Sequence, residues 1–350
     1  MRSFEEAFPI DIHPALLPDE ASQVVFFDIE TTGFSGQSAF LYLIGCIFCK
    51  EGRWQIRQWF LDDFRSEKEM LLSFFDFISA YTWLIHFNGS TFDIPFIEKR
   101  LARYKLSRSF SFFESLDLYK ELKPYKTLLG LSGLKQKNLE EFLGIYRTDP
   151  FTGGELIEVY YEYMDTHKEE LLSSLLLHNA DDLRGMLSIL PLHGLLLLLK
   201  GNFEVTGHEL TDSELIFSLK SSLPLPSPLQ LCFDSCKLTI DGRNIFFAVP
   251  LIKDTLKYFY PNPKDYYYLP AEDEAIHKSV AAYVDKAYRI AANQSNCYTR
   301  HTSVYLPLKD KSFVSTVFQR SYKEKEYFFE LNEEFLNNRE LQKMYLLQLL

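Results

Sequence analysis

Four carboxylates in this 350-residue chain sit where the surrounding sequence would ordinarily reject charge. Asp28 and Glu30 close the run Val24-Val-Phe-Phe-Asp-Ile-Glu, which is otherwise wholly apolar. A spacing of two puts both acids on one face of a strand. Two like charges at the end of a buried strand are costly unless a cation compensates them; the alternative is that they cap a turn through Thr31 and Thr32. Asp93 lies in His86-Phe-Asn-Gly-Ser-Thr-Phe-Asp-Ile-Pro, after a short apolar strand and an Asn88-Gly89 turn. Helix capping is its competing role, since Asp caps well and Pro95 suits a first turn, yet Phe92 and Phe96 bracket it with apolar bulk. The third element is His178-Asn-Ala-Asp-Asp182, in which His178 and Asp182 are four apart and share a helix face. On a solvated helix they would be an ordinary surface pair, but Leu175 to Leu177 and Leu183 to Leu190 make this helix apolar.

Three or four clustered carboxylates can hold two divalent cations about 4 Å apart, the arrangement that hydrolyses phosphodiesters. Asp28, Glu30, Asp93 and Asp182 are the candidate ligands, with Asp181 a rival one position from Asp182. Hard oxygen donors without paired His or Cys point to Mg²⁺ or Mn²⁺ rather than zinc. His178, beside Asp182, is placed to orient or deprotonate the attacking water. Asn88, Thr31 and Phe92 flank these acids and are candidate substrate contacts, Asn88 being equally a turn residue.

The elements that must carry these side chains alternate between strand and helix. Short apolar runs predict strands at 24–29, 40–48, 54–61 and 82–87, and helical spacing predicts helices at 67–79 and 92–104. Beyond Asp117 the pattern is helical through 139–143, 155–164 and 169–190. This is an α/β layer arrangement over residues 1–200. Residues 201–228, ending in Ser221-Ser-Leu-Pro-Leu-Pro-Ser-Pro, read as a linker. Residues 229–350 read as a smaller α+β accessory domain, with a hairpin about Asp241-Gly242, a helical stripe from Ile276 to Ala291 and a terminal helix from Leu331.

Once these strings are set side by side, the sequence resembles the DEDD 3′–5′ exonucleases of the ribonuclease H-like fold. Phe27-Asp28-Ile29-Glu30-Thr31-Thr32-Gly33 looks like their first motif, and Phe87-Asn-Gly-x-x-Phe-Asp93-x-Pro like the second, as found in proofreading domains of family B polymerases. His178-Asn-x-x-Asp182 occupies the third. The closer resemblance is to the YprB-type ribonuclease H-like domain, which shares the Asn-Gly-x-x-Phe-Asp and His-Asn-x-x-Asp strings over about residues 22–195. It implies a mixed sheet flanked by helices, two bound divalent metal ions, and exonuclease action on single-stranded DNA or RNA. The four-residue spacing of His178 from Asp182 is that at which one branch places Tyr, which leaves its role open between base and water-orienting group. Asp117, in Ser115-Leu-Asp-Leu, also recurs in such domains and reads as a structural acid. An endonuclease of the same fold, or a non-catalytic nucleic-acid-binding scaffold, are the alternatives.

Composition bounds this reading. With 37 Lys+Arg against 48 Asp+Glu the net charge is −11, which excludes a polybasic coat for long duplexes or for membranes. The local exception is 99–137, where ten Lys/Arg face Glu114, Asp117 and Glu121 and offer a candidate phosphate track. A second candidate surface is Lys257-Tyr-Phe-Tyr to Tyr266-Tyr-Tyr, with base stacking set against core packing. The five cysteines read as free thiols, not as disulfides or a zinc site, which fits the cytoplasm. The most apolar stretch, Leu187 to Leu199, contains Pro191 and His193 and reads as a buried helix rather than a membrane span.

Overall fold

The computed structural model of the chain describes residues 1–146 and 153–350. They form two compact units, one of Met1–Leu197 with Ser222–Pro226 and one of Leu198–Ser221 with Ser227–Leu350.

The first unit is built on a mixed six-stranded sheet of order β1-β4-β3-β2-β5-β6. Its strands are β1 (Arg2–Ala7), β2 (Val24–Thr31), β3 (Leu41–Lys50), β4 (Arg53–Phe60), β5 (Trp83–His86) and β6 (Glu114–Asp117). The first four pair antiparallel, whereas β5 runs parallel to β2 and β6 parallel to β5. Strand β2 is apolar on both faces because helices cover both, so its sequence shows a continuous run rather than an alternation. Helices α1 (Glu67–Ile78) and α2 (Asp93–Arg103) follow β4 and β5, and the short α3 (Leu118–Leu122) and α4 (Gln136–Phe142) follow β6. Then come α5 (Gly153–Thr166), α6 (Glu169–Ser188) and α7 (Leu190–Leu199). Phe27 stacks on Phe110 and meets Phe74 of α1, while Tyr42 of β3 stacks on Tyr160 of α5 with ring centroids 4.4 Å apart. The helical run Glu169–Leu199 is long and apolar enough to cross a membrane by length and composition, but 72% of its apolar window is buried inside the protein.

A buried ion pair fastens the loop that leaves β2. Glu67 and Arg100 are 0% and 1% exposed. They meet through two hydrogen bonds, one of 2.7 Å from Arg100 Nε to Glu67 Oε1 and a second between Nη2 and Oε2. The remaining acceptor capacity of Glu67 is filled by the Leu41 N–H at 2.9 Å and the Tyr104 hydroxyl at 2.7 Å. Arg100 Nη1 donates to Gly36 O at 3.2 Å. The pair therefore ties the start of β3 and the turn after Glu30 to both α1 and α2. It also corrects the expected phosphate track: Arg100 is interior, and Arg108 is paired with Asp76, so that stretch is less cationic than its composition.

The second unit is mainly β. Strands β7 (Glu204–Leu210), β8 (Glu214–Lys220), β9 (Leu229–Phe233), β10 (Cys236–Asp241) and β11 (Asn244–Pro250) form an antiparallel sheet of order β7-β8-β11-β10-β9. Next in the chain are β12 (Ile252–Phe259), β13 (Tyr266–Leu269), β14 (Glu274–His277), helix α8 (Lys278–Ala281) and β15 (Ile290–Ala291). They are followed by β16 (Tyr298–Leu308), β17 (Phe318–Gln319), β18 (Tyr327–Glu330), α9 (Glu333–Asn337) and α10 (Arg339–Leu349). Strands β12, β16, β18 and β17 close a small barrel, and β13 pairs with β14 and β15.

Two sequence expectations are corrected here. Residues 201–228 are not a linker throughout, because β7 and β8 form a hairpin within them. In β8, Leu215, Phe217 and Leu219 alternate inward, a signal obscured by the proline-rich stretch that follows and by the register shift at Gly207. The apolar stripe from Ile276 to Ala291 is α-helical only at Lys278–Ala281, with a single 3-10 turn at Lys286–Tyr288; pairing of its two ends onto β13 overrides the helical spacing, and Tyr283 is 93% exposed. The expected Asp241-Gly242 hairpin is present, with Asp241 opposite Asn244.

Arg100→Met would strand the Glu67 carboxylate in the interior, a loss of about 3–5 kcal/mol of stability. Urea unfolding of the two proteins measures this directly, and a change below about 1 kcal/mol would mean that the pair contributes little beyond packing.

Candidate active site

Strand alternation places Asp28 and Glu30 on the sheet face that α6 crosses. Across the sheet, Asp28 of β2 lies beside Gly45 of β3, and Gly45 beside Gln58 of β4. A Cβ on Gly45 would come within 1.9 Å of Asn179 Oδ1 and 2.8 Å of Leu183. The glycine is what lets α6 approach closely enough for its polar residues to reach β2.

From α6, His178 Nε2 lies 3.7 Å from Glu30 Oε1 and 3.4 Å from Asp182 Oδ2. Among the described residues, Glu30, His178 and Asp182 form a group whose candidate ligand atoms all lie within 4.8 Å of one another. Asp181, one residue earlier, points instead to an ion pair with Arg184. The helix register thus puts Asp182, and not Asp181, against Glu30.

Asp28 shares this field. Burial, followed by repulsion from Asp182, Asp93 and Glu30, pushes its carboxyl well above the ordinary range, and the hydrogen bond from Asn179 pulls the other way. Asp93, at the start of α2, is 5% exposed, and burial raises its pKa to about 7 against the pull of a backbone donor. Tyr42, buried beneath Glu30, is raised by burial and by Glu30 itself, to which its hydroxyl is hydrogen-bonded. Glu30, Asp182 and His178 are therefore brought together from β2 and α6, Asp28 is tied to the same helix through Asn179, and Asp93, at the start of α2, stands outside that group and acts on Asp28 as a charge. As a donor set of hard oxygens under mutual repulsion, the acids fit divalent cations such as Mg²⁺ or Mn²⁺.

The loop before Asp93 is held by Asp117, which accepts from the backbone N–H groups of Asn88 (2.9 Å) and Ser90 (3.3 Å), from the Ser90 hydroxyl, and from Tyr119 N at 3.1 Å. Burial alone would raise Asp117, but these donors hold it below its usual value. His86 is fully buried, and burial lowers its pKa to about 4, so it is neutral. Gly89 N–H donates to its Nδ1 at 3.1 Å, so Nε2 carries the proton shared with Ser115 Oγ at 2.7 Å. A Cβ on Gly89 would meet both His86 Nδ1 at 2.7 Å and Asp93 Oδ2 at 2.8 Å, which explains the glycine in this string.

The three residues expected to touch substrate flank the acids in distinct settings. Thr31 Oγ1 donates to Gly33 O at 2.9 Å and closes the turn after β2. Asn88 adopts a left-handed conformation (φ 61°), and its side-chain oxygen accepts from Thr91 Oγ1. Both side chains are engaged in holding turns. Phe92 is half-buried and meets Phe34 edge-on at 6.4 Å, and Phe34 is 94% exposed. Phe34, Tyr42, Gly45, Gln58 and Asn179 were not identified from sequence. Only Asn179, inside the third motif, carried a local signal; the others depend on strand register.

Residues 25–192 match the family model RNase_H_2, of the RNase H superfamily. The chain is 28% identical over 173 residues to the uncharacterized protein YprB of Bacillus subtilis (strain 168), covering 48% of this chain and 41% of that protein. A second similarity, 40% over 52 residues, is to a DNA polymerase of Ostreid herpesvirus 1 (isolate France), of which it covers 3%. The chain thus spans less than half the length of either relative. Among solved structures, a family B DNA polymerase from the archaeon Pyrobaculum calidifontis overlaps 78% of this chain and 40% of its own at a TM-score of 0.40 and 13% identity. An E. coli ExoI–ssDNA complex overlaps 56% of this chain and 54% of its own at a TM-score of 0.28 and 14% identity.

Because the folded protein holds a proton on Asp93 up to about pH 7, which an unfolded chain releases near pH 4, stability attributable to this group falls as pH rises through that window. Asp93→Asn removes the penalty. The metal-free variant should melt above the wild type at about pH 8, with a smaller gain at about pH 5. A variant that melts lower at the higher pH would show that the carboxylate is not under strain.

Proposed function

We propose, on the premise that residues 25–192 form a YprB-type ribonuclease H-like domain, that the protein is a metal-dependent nuclease acting as a 3′–5′ exonuclease on single-stranded DNA or RNA. The observation that carries this reading is the grouping of Glu30, His178 and Asp182, whose candidate ligand atoms lie within 4.8 Å of one another, beside the buried Asp28 two positions along β2. Such a group is unfavourable by itself and becomes favourable around cations. Asp28, Glu30, Asp93 and Asp182 would hold two divalent ions, Mg²⁺ or Mn²⁺. When bound, these supply charge neutralisation at phosphorus and acidify the attacking water.

The remaining work falls to the protein's own groups. His178, held between Glu30 and Asp182, orients the attacking water and can take its proton at Nε2. The Asp117 network holds the Asn88-Gly89 turn so that Asp93 enters at the first residue of α2. Phe92, with exposed Phe34 against it, offers an aromatic surface on which a terminal base can stack. The free thiols agree with a cytoplasmic location.

End-labelled single-stranded DNA and RNA, incubated with Mn²⁺, should be shortened from the 3′ end by the full-length protein, and Asp28→Asn should lose this activity while melting at or above the wild-type temperature. A circular single strand should survive. Cutting of the circle would overturn the exonuclease assignment in favour of an endonuclease, and full activity in Asp28→Asn would overturn the site. Absence of Mn²⁺ binding at millimolar metal would leave only a scaffold role.

A further inference from the structure

The third motif contains a buried side chain that the chemistry above does not use. Asn179 is 0% exposed and sits over Gly45, between Asp28 on one side and Gln58 on the other. The orientation of its amide is fixed by a chain of hydrogen bonds that starts at the backbone. The carbonyl of Leu176 can only accept, and a Gln58 terminal atom lies 2.8 Å from it, so that atom is the Nε2 donor. The second proton of Nε2 goes to Asn179 Oδ1 at 2.9 Å. The other end of the Asn179 amide, Nδ2, therefore faces Asp28 and donates to its Oδ2 at 3.0 Å.

We propose that Asn179 is a positioning residue that fixes the rotation of the Asp28 carboxylate, binding one oxygen so that the other is presented to a divalent ion, and that Gln58 only sets which end of the Asn179 amide faces Asp28. This inference rests on the metal-dependent reading of the site. Groups that orient metal ligands in this way usually alter metal affinity or activity by about 10–100-fold when removed. Both side chains are buried, and Gln58 acts only through Asn179. Three strands and α6 converge on the device, since Asp28, Gly45 and Gln58 are register neighbours and Gly45 leaves the space that Asn179 fills. A cavity of about 560 Å³ bordered by Gln58, Phe4, Leu176 and Ala180 gives room for a substitution at Gln58 without forcing the sheet.

A plain structural tie between α6 and the sheet would use the same hydrogen bonds, so the test reverses their polarity rather than only deleting them. At a pH where its carboxyl is ionised, Gln58→Glu keeps the shape but offers only acceptors, to Leu176 O as well as to Asn179, so that the Asn179 amide turns round and sets its carbonyl oxygen against Asp28. Gln58→Met removes the partner without dictating an orientation, and the amide can go on donating to Asp28. Asn179→Leu deletes the donor. In the full-length protein, Mn²⁺ binding measured by electron paramagnetic resonance without nucleic acid should weaken about 10–100-fold in Gln58→Glu and Asn179→Leu but stay close to wild type in Gln58→Met. The weakening in Gln58→Glu runs against simple Coulomb attraction, since an added negative charge nearby should tighten cation binding. On a labelled oligonucleotide, kcat should fall with Mn²⁺ affinity while KM for the strand is unchanged.

Metal-free melting provides the contrast, with Gln58→Met losing stability through an unpaired buried oxygen yet retaining metal affinity. If Mn²⁺ affinity follows melting temperature across the three variants, or Gln58→Glu binds Mn²⁺ as the wild type does, the positioning role is wrong. If Asn179→Leu does not fold, the two Gln58 variants decide the matter alone. A wild-type protein that binds no Mn²⁺ would overturn the metal-dependent reading itself, a result separable from a wild type that binds and variants that do not differ.

Discussion

Burial of the Asp28 carboxylate beside Glu30 and across from the acid-bearing helix α6 is the constraint on which the first unit's site depends. Asp28 cannot turn away from Glu30, since both leave the same face of β2. Asp182 is delivered by a helix that Gly45 admits to close range, and Asp93 by a helix start that Asp117 and neutral His86 hold in place. A fold that lacked such restraints would relax by moving these side chains into water. Here the backbone elements are fixed by other interactions, so the unfavourable field persists and can be relieved by cations.

Those other interactions are largely aromatic and ionic. Phe27, on the opposite face of β2 from Asp28, is packed by Phe74 and Phe110, which anchors the strand independently of the acids. The Glu67–Arg100 pair fixes the loop that leaves β2 and the helix that carries Asp93 in a single bidentate contact. Stability lost at the acids is thus offset at a distance. The net charge of −11 reads accordingly: part of it is concentrated in a place suited to divalent ions, and it does not oppose a small metal-assisted contact with nucleic acid.

Much of this was legible in the sequence because strand and helix periodicity act locally. The two-residue spacing of Asp28 and Glu30 and the four-residue spacing of His178 and Asp182 placed each pair on a common face before any tertiary contact was known. What was not legible depended on register between strands. Nothing local marks Gln58 as the neighbour of Gly45, or Gly45 as the neighbour of Asp28; these are facts of β2–β3–β4 pairing. Composition alone makes Arg100 one of ten cations in a candidate phosphate track, because it does not reveal that Glu67, 33 positions away, meets it inside the protein. In the second unit the stripe from Ile276 to Ala291 has helical spacing, and strand pairing at its two ends prevails over it.

The central claim is that the four carboxylates exist to hold divalent ions, and crystals grown or soaked with Mn²⁺ test it most directly. An anomalous difference map should place manganese at bonding distance from Asp28, with Glu30, Asp93 and Asp182 completing its surroundings. Manganese found only elsewhere on the protein, or a site that stays empty at millimolar Mn²⁺ with the acids still clustered, would contradict the account.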